Sequence, residues 1–503
     1  MAALPPAPAW RRLDWASCTA LFAAALALRW PFLDAVAYGD EAMHYYMASH
    51  LLQGPSNLSD VFGILWFHPS WIVFQRPFYY LLFHPAAMAS FHAFRVQNAI
   101  LGSLLPVVSY GLLRTFGVRR PFAIAAGLAA ASFPLLVVWG TFGLMDTAMT
   151  VFLLAGLWAR SARRPILSAV LLLAATWSKE TAYVAVVALF TVTQLRTWWR
   201  KDSPVWPLRF DAAQSALAVV MLVGLVPVLL SSTLGLRTPG APASGYAFRL
   251  IESLFGASLL VPVLFLGLRW PASRTLATWA LAAGGFLLAL HVVLHRAVEV
   301  WYNVPAVALG FVGVAATVDA AWTASAHRRW VPSALAVFVG LVVVGAVLVP
   351  GSAAKDAILH PFEHIPSGSW SETLAYEKGR DRDLTEAQVW VDARHPTTLL
   401  AFDVEYPHVL HPFVEGQPRV VLVSSQLFDL LPYPLHTVAT AMAQPGTLTL
   451  LQVRDWTLNH GVQEVYSSCV VERNPGYILF DGSSCGDRGT ELEARVPYPQ
   501  PST

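Results

Sequence analysis

The chain has 503 residues, of which 56% are hydrophobic and 13% charged, with a mean hydropathy of +0.52. Soluble domains carry roughly a quarter charged residues, so long apolar runs at half that charge exclude an ordinary soluble protein and indicate a polytopic membrane protein. The net charge of +2 gives no sign of a nucleic-acid partner, and none is expected.

A spanning helix needs about 20 apolar residues. In chain order the candidates are 15–33, 97–114, 121–139, 146–160, 165–179, 181–197, 212–233, 256–269, 275–294, 303–322 and 331–350. The connectors alternate sharply in charge. One set holds Arg11 and Arg12; Arg114, Arg119 and Arg120; Arg160, Arg163 and Arg164; Arg196, Arg200, Lys201 and Arg209; Arg269 and Arg274; and Arg328 and Arg329. The other set is poor in Lys and Arg. Positive charge marks the cytoplasmic side, which places the N-terminus inside and leaves 34–96, 234–255 and everything from 351 outside. Segment 15–33 follows Arg11 and Arg12 as a signal peptide would, but its length and Arg29 favour an uncleaved span.

The outer loop 34–96 is rich in aromatic residues, among them Trp66, Trp71, Phe78, Tyr79 and Tyr80, which favour a membrane interface. One or two helices lying flat on the outer surface are expected there. Segment 234–255 holds Pro239, Gly240, Pro242 and Gly245 and reads as a loop. The tail carries β-like runs at Thr398–Val404, Val420–Ser424, Thr447–Val453 and Tyr477–Phe480, with a helix-like stretch at 432–443. The expected architecture is an α-helical polytopic membrane protein of about eleven spans, with interfacial helices in its first outer loop, followed by a small soluble α/β domain. The domains are 1–351, in the membrane, and 352–503, extracytoplasmic. Cys469 and Cys485 share that exported domain, where an oxidising compartment permits a disulfide.

The chemistry-bearing residues gather on the outer side. Asp40 and Glu41 stand just beyond the first span, in Gly39-Asp40-Glu41-Ala42-Met43-His44-Tyr45. A carboxylate there can take a proton from an acceptor hydroxyl, or the pair can simply open a helix, whose N-terminus favours acids. Asp146 sits at the outer mouth of the fourth span, where an acid is either functional or a helix cap. Lys179-Glu180 lies between spans five and six. It is a self-paired interfacial turn or a point charge for a phosphate. Arg76, Arg95 and Arg296 are outer cations in a region poor in them, with Glu299 and Tyr302 near the last. A guanidinium fits a phosphate, or these arginines pair with Asp34, Asp60 or Glu299. Glu41-x-x-His44 has the spacing of carboxylate-bridged metal sites but lacks a second pair in the spans, and His291-x-x-x-His295 lacks the Glu of a zinc motif. Neither a glycine-rich phosphate loop nor a nucleophilic serine motif is present. A transfer reaction on the outer face therefore needs a donor delivered by the membrane, such as a lipid-linked phosphate.

In this order the residues resemble the membrane glycosyltransferases of the C fold class. The chain looks most similar to the group of dolichyl-phosphate-mannose protein mannosyltransferases and lipid A aminoarabinose transferases. Asp40-Glu41 resembles the acidic motif of the first outer loop, and Arg76-Pro77-Phe78 its basic residue-Pro-Pro element. Phe94-Arg95-Val96-Gln97-Asn98 resembles the Arg-bearing start of span two, and Leu144 to Thr150 the Asp that opens span four. Trp177-Ser178-Lys179-Glu180 resembles the Thr-Lys element ending span five, and Arg296 to Pro305 the Arg-Tyr-x-x-Pro element before a late span. Phe78 departs from the pattern where a second proline is expected, and five residues separate Tyr302 from Arg296. The tail from 352 lies outside the resemblance.

The resemblance implies inverting transfer of a sugar from a polyprenyl-phosphate donor to a protein, lipid or glycan acceptor. The setting would be a multi-pass cell membrane, that of a bacterial cell envelope. Asp40 would be the general base, with Glu41 and Asp146 orienting the acceptor or holding the base. Arg76, Lys179, Arg296 and Tyr302 would hold the donor phosphate, with Arg95, Glu180 and His44 in support. Some members bind a divalent metal near these acids; for this chain the metal is left open. A lipid-linked-glycan flippase, the alternative, would show repeated halves and charges at mid-membrane; here the charges stand at span ends. A non-catalytic assembly factor is the third reading.

Overall fold

The computed structural model describes residues 12–33, 39–49, 76–179, 181–183, 185–188, 191, 218–225, 260–294, 304–324, 333–340, 370–402, 419–423, 435–453 and 457–496. It is mostly helical with one small sheet.

In chain order the first helices are α1 (Arg12–Arg29), a 3-10 turn (Trp30–Phe32), α2 (Gly39–Ser49), α3 (Pro77–Ala89), α4 (Phe91–Thr115), α5 (Arg120–Ser132), α6 (Pro134–Val138), α7 (Met145–Ser161) and α8 (Pro165–Ser178). They are followed by α9 (Val261–Gly267), α10 (Pro271–Leu294) and α11 (Val304–Ala324). Prolines open α3, α5, α6 and α8. They do so because the first turn has no use for the missing N–H and the ring presets φ. Ser90 caps α4, its hydroxyl accepting from the Ala93 amide at 3.0 Å.

The stretch 121–139, read above as one span, is two helices. Phe133 precedes Pro134 and is therefore pushed to extended geometry (φ −66°, ψ 124°), which ends α5 at Ser132. Among the described residues, α4 and α11 are long and apolar enough to cross a membrane. α11 is buried along almost its whole length. α4 packs against α1, α3, α5, α7 and α11.

Two sets of ion pairs mark the two ends of α4. At one end Asp14 accepts from the Tyr110 hydroxyl at 2.6 Å, Arg114 at 3.1 Å and Arg120 at 3.3 Å, and Arg119 holds Asp319 at 2.5 Å. Arg95 lies at the other end. At 1.5 Å per residue, Arg95 and Arg114 are about 28 Å apart along the axis, close to the thickness of a hydrocarbon core. Large apolar side chains are exposed on these helices, among them Leu28, Ile100, Leu128, Ile166 and Val170. On α3 the exposed face carries Leu81, Pro85 and Met88, while Tyr79, Tyr80, Phe83 and Ala87 are buried.

The C-terminal part comprises α12 (Trp370–Arg394), β1 (Thr398–Phe402), β2 (Arg419–Val423), α13 (Leu435–Met442), β3 (Thr447–Gln452), α14 (Thr457–Val465), β4 (Val470–Arg473), β5 (Tyr477–Phe480) and α15 (Gly489–Arg495). The strand order is β2-β1-β3-β5-β4. β1 runs parallel to β2 and β3, with Leu400 opposite both Val421 and Thr449, and β5 is antiparallel to β3 and β4. Four strands fall on the runs read from sequence. The exception, β4, is an edge strand with every second residue exposed, so it lacks the continuous apolar run of the others. Cys469 and Cys485 form a disulfide.

One continuous buried apolar cluster contains Tyr45, Tyr79, Phe83 and Phe94 from the helical part and Leu399, Leu448 and Leu479 from the sheet. α2, α3 and the start of α4 therefore share a core with the C-terminal sheet.

Candidate active site

The site begins at α2. Glu41, His44, Tyr45, Met47, Ala48 and Ser49, the side chains of α2 that the structure describes, are all buried. Asp40 belongs to the first turn of the same helix; its side chain lies outside the described residues.

The Glu41 carboxylate receives three N–H donors. Arg95 Nε donates to its Oε1 at 2.9 Å and Nη2 to its Oε2 at 2.5 Å, a bidentate pair with both side chains at 0% exposure. The Gly143 amide donates to Oε1 at 2.7 Å. Arg95 Nη1 reaches the Leu33 carbonyl at 3.1 Å. Its guanidinium lies 4.7 Å from the Phe91 ring centre and 4.8 Å from that of Phe142, so cation–π contact replaces part of the lost hydration. Sequence pairing had offered Asp34, Asp60 or Glu299 as partners for these arginines; Arg95 takes Glu41.

Asp146 lies in the first turn of α7, and Lys179 ends α8. Lys179 Nζ donates to both Asp146 oxygens, at 2.8 and 2.6 Å, with side-chain exposures of 3% and 2%. Lys179 is thus part of a long-range buried pair; Glu180, its alternative partner, lies outside the described residues. The antiparallel packing of α7 and α8 brings the start of one beside the end of the other.

The loop between α6 and α7 is tied at several points. Asn98 Nδ2 donates to the Phe142 carbonyl, and Thr147 Oγ1 donates to the Trp139 carbonyl at 2.7 Å. The Tyr79 hydroxyl donates to the Gly143 carbonyl at 2.6 Å. Gly143 is required for packing, since a Cβ there would strike the Phe94 ring. Tyr79 is fully buried, and burial is the main reason its hydroxyl titrates well above the usual tyrosine range. Tyr80, Glu41 and Asp146 push in the same direction and Arg76 opposes them. Glu41, Asp146 and Arg76 thus lie within electrostatic reach of one hydroxyl. Arg76 is half-buried at the start of α3.

His44 is buried, with Nδ1 2.8 Å from the Tyr80 hydroxyl, which also lies 3.3 Å from Met47 Sδ. The Glu41-x-x-His44 spacing does not fit a cation, because Glu41 already receives three N–H donors. Among the described residues no cluster of three or more His, Cys, Asp or Glu side chains could hold a metal ion. Glu180, Arg296 and Tyr302 lie outside the described residues. Tyr79, Gly143 and Asn98 are the contributors that sequence reasoning passed over. Two signals were available: the Tyr79-Tyr80 pair directly after Arg76-Pro77-Phe78, and Gly140 and Gly143 just before an acid-opened helix.

No family model matches the chain, and no curated protein matches it. Among solved structures it is similar to the oligosaccharyltransferase of Archaeoglobus fulgidus, crystallised with an acceptor peptide containing the NVT sequon tethered through a disulfide. The identity is 11% and the TM-score 0.46, over 96% of this chain and 72% of that one.

Proposed function

We propose that the chain is a polytopic membrane glycosyltransferase. It moves a sugar from a polyprenyl-phosphate carrier to an acceptor hydroxyl at the extracytoplasmic face, with inversion at the anomeric carbon. The observation that carries the reading is the division of labour within the acidic pair. Glu41 is held by Arg95 and Gly143, which supports reading it as a scaffold and its neighbour Asp40 as the base. The acceptor oxygen bonds to the anomeric carbon as the bond from that carbon to the phosphate oxygen breaks, and the acceptor proton passes to Asp40.

The departing lipid phosphate gains charge in the transition state, so preorganised cations lower the barrier. Arg76 and Arg296, with the Tyr302 hydroxyl, serve that role. Lys179 was grouped with them on sequence; bonded to both oxygens of Asp146, its part is to fix that carboxylate for the acceptor. The common core of the first outer loop and the C-terminal domain supports one side for both, and the charge alternation makes that side extracytoplasmic.

The test is purified protein in lipid with a radiolabelled polyprenyl-phosphate sugar. Release of lipid phosphate with labelled acceptor supports transfer. Movement of uncleaved donor across the bilayer supports a flippase, and neither event leaves an assembly factor.

A further inference from the structure

Gly143 is held from both sides. Its amide donates to Glu41 at 2.7 Å, and its carbonyl accepts from the Tyr79 hydroxyl at 2.6 Å. Three residues later α7 carries Asp146 in its first turn. Leu144 is extended (φ −100°, ψ 142°) and supplies no side-chain cap to that helix, so the start of α7 takes its place from what holds the preceding loop. Phe94 closes the remaining side of Gly143. The two clamping groups come from α2 and α3, both belonging to the first outer loop, whereas Asp146 and Lys179 belong to α7 and α8.

We propose that Tyr79 is a positioning residue for the transfer reaction. Together with Glu41 it grips Gly143 and thereby couples the acidic motif of α2 to the placement of Asp146. A buried tyrosine hydroxyl needs a partner, and here the partner is the backbone of the site's own loop. The bond is directional: the phenol supplies one O–H, and the Gly143 carbonyl takes it. Phenylalanine preserves the ring, which packs on Phe83 with centroids 4.6 Å apart and on Tyr80 at 5.3 Å, and removes only the grip. The role assigned to Asp146 rests on the proposed transferase reaction; the grip on Gly143 does not.

The experiment is Tyr79→Phe in the full-length protein, with two readouts. Amide hydrogen exchange over residues 139–145 should quicken in the variant while exchange in α4 is unchanged. In the transfer assay kcat should fall about 10- to 100-fold, the scale expected when a catalytic group moves by an ångström, with the donor KM within about threefold. In an Asp146→Asn background the same substitution should remove no further kcat, because both changes act on one element. Unchanged exchange at 139–145 overturns the grip. Wild-type kcat in Tyr79→Phe, or a full multiplicative loss in the double variant, overturns the positioning role. Failure of the wild-type protein to use any polyprenyl-phosphate sugar overturns the proposed function instead, and the exchange measurement still decides the grip.

Discussion

Asp146 gives both of its oxygens to the Lys179 ammonium, at 2.8 and 2.6 Å, across 33 residues of chain and out of contact with solvent. Two charges removed from water are held by their mutual attraction, so deleting one leaves the other with a weakened counter-charge. Lys179→Met should destabilise the protein by about 3–5 kcal/mol. The double variant Asp146→Asn/Lys179→Met should regain most of that stability without regaining transfer. Thermal midpoints in detergent, read beside turnover, check both statements. Equal midpoints for the single variant and the wild type would show that the pair carries no such strain.

The two acids of α2 should separate experimentally. Asp40→Asn is expected to abolish sugar transfer with membrane insertion and thermal midpoint unchanged. Glu41→Gln should lower the midpoint as well as activity, because it breaks a buried bidentate pair with Arg95. Full transfer by Asp40→Asn would remove it as the base.

Gly143→Ala should impair folding through contact with the Phe94 ring. Phe94→Leu in the same chain should restore yield by clearing that space, whereas Phe94→Leu alone should lower stability by roughly 1 kcal/mol as packing is lost. Yield from size-exclusion chromatography and the thermal midpoint decide it. No rescue by the second substitution would mean that the clash lies elsewhere.

Reduction of Cys469–Cys485 should weaken the C-terminal domain. The bond closes a sequence separation of 16 residues, for which loop entropy gives about 3 kcal/mol. Limited proteolysis with and without dithiothreitol should show faster cleavage between 457 and 496 in the reduced protein. Identical cleavage would assign the stability of that segment to its apolar core alone.

Much of the scaffold was readable from local pattern. The helices at Phe91–Thr115, Met145–Ser161 and Pro165–Ser178 follow apolar runs, and four strands follow short β-rich runs. The break at Phe133-Pro134 has a local cause too, in the restriction that proline places on its predecessor. The edge strand Val470–Arg473 was not readable, since its alternating exposure over four residues is too short a signal.

The partners of the charged residues are another matter. The sequence by itself supports placing Asp40, Glu41, Arg76, Arg95, Asp146 and Lys179 on one side, because charge alternation across apolar spans is a property of the chain's linear order. Only the tertiary structure decided that Glu41 belongs to Arg95 and Gly143, that Asp146 belongs to Lys179, and that Tyr79 closes the grip. Such pairings join residues from 33 to 102 positions apart, and a short-range interaction depends on helix packing in space, on which spacing along the chain is silent. Two adjacent acids that look interchangeable in sequence thus acquire different work, one as scaffold within the core and the other as the proposed base.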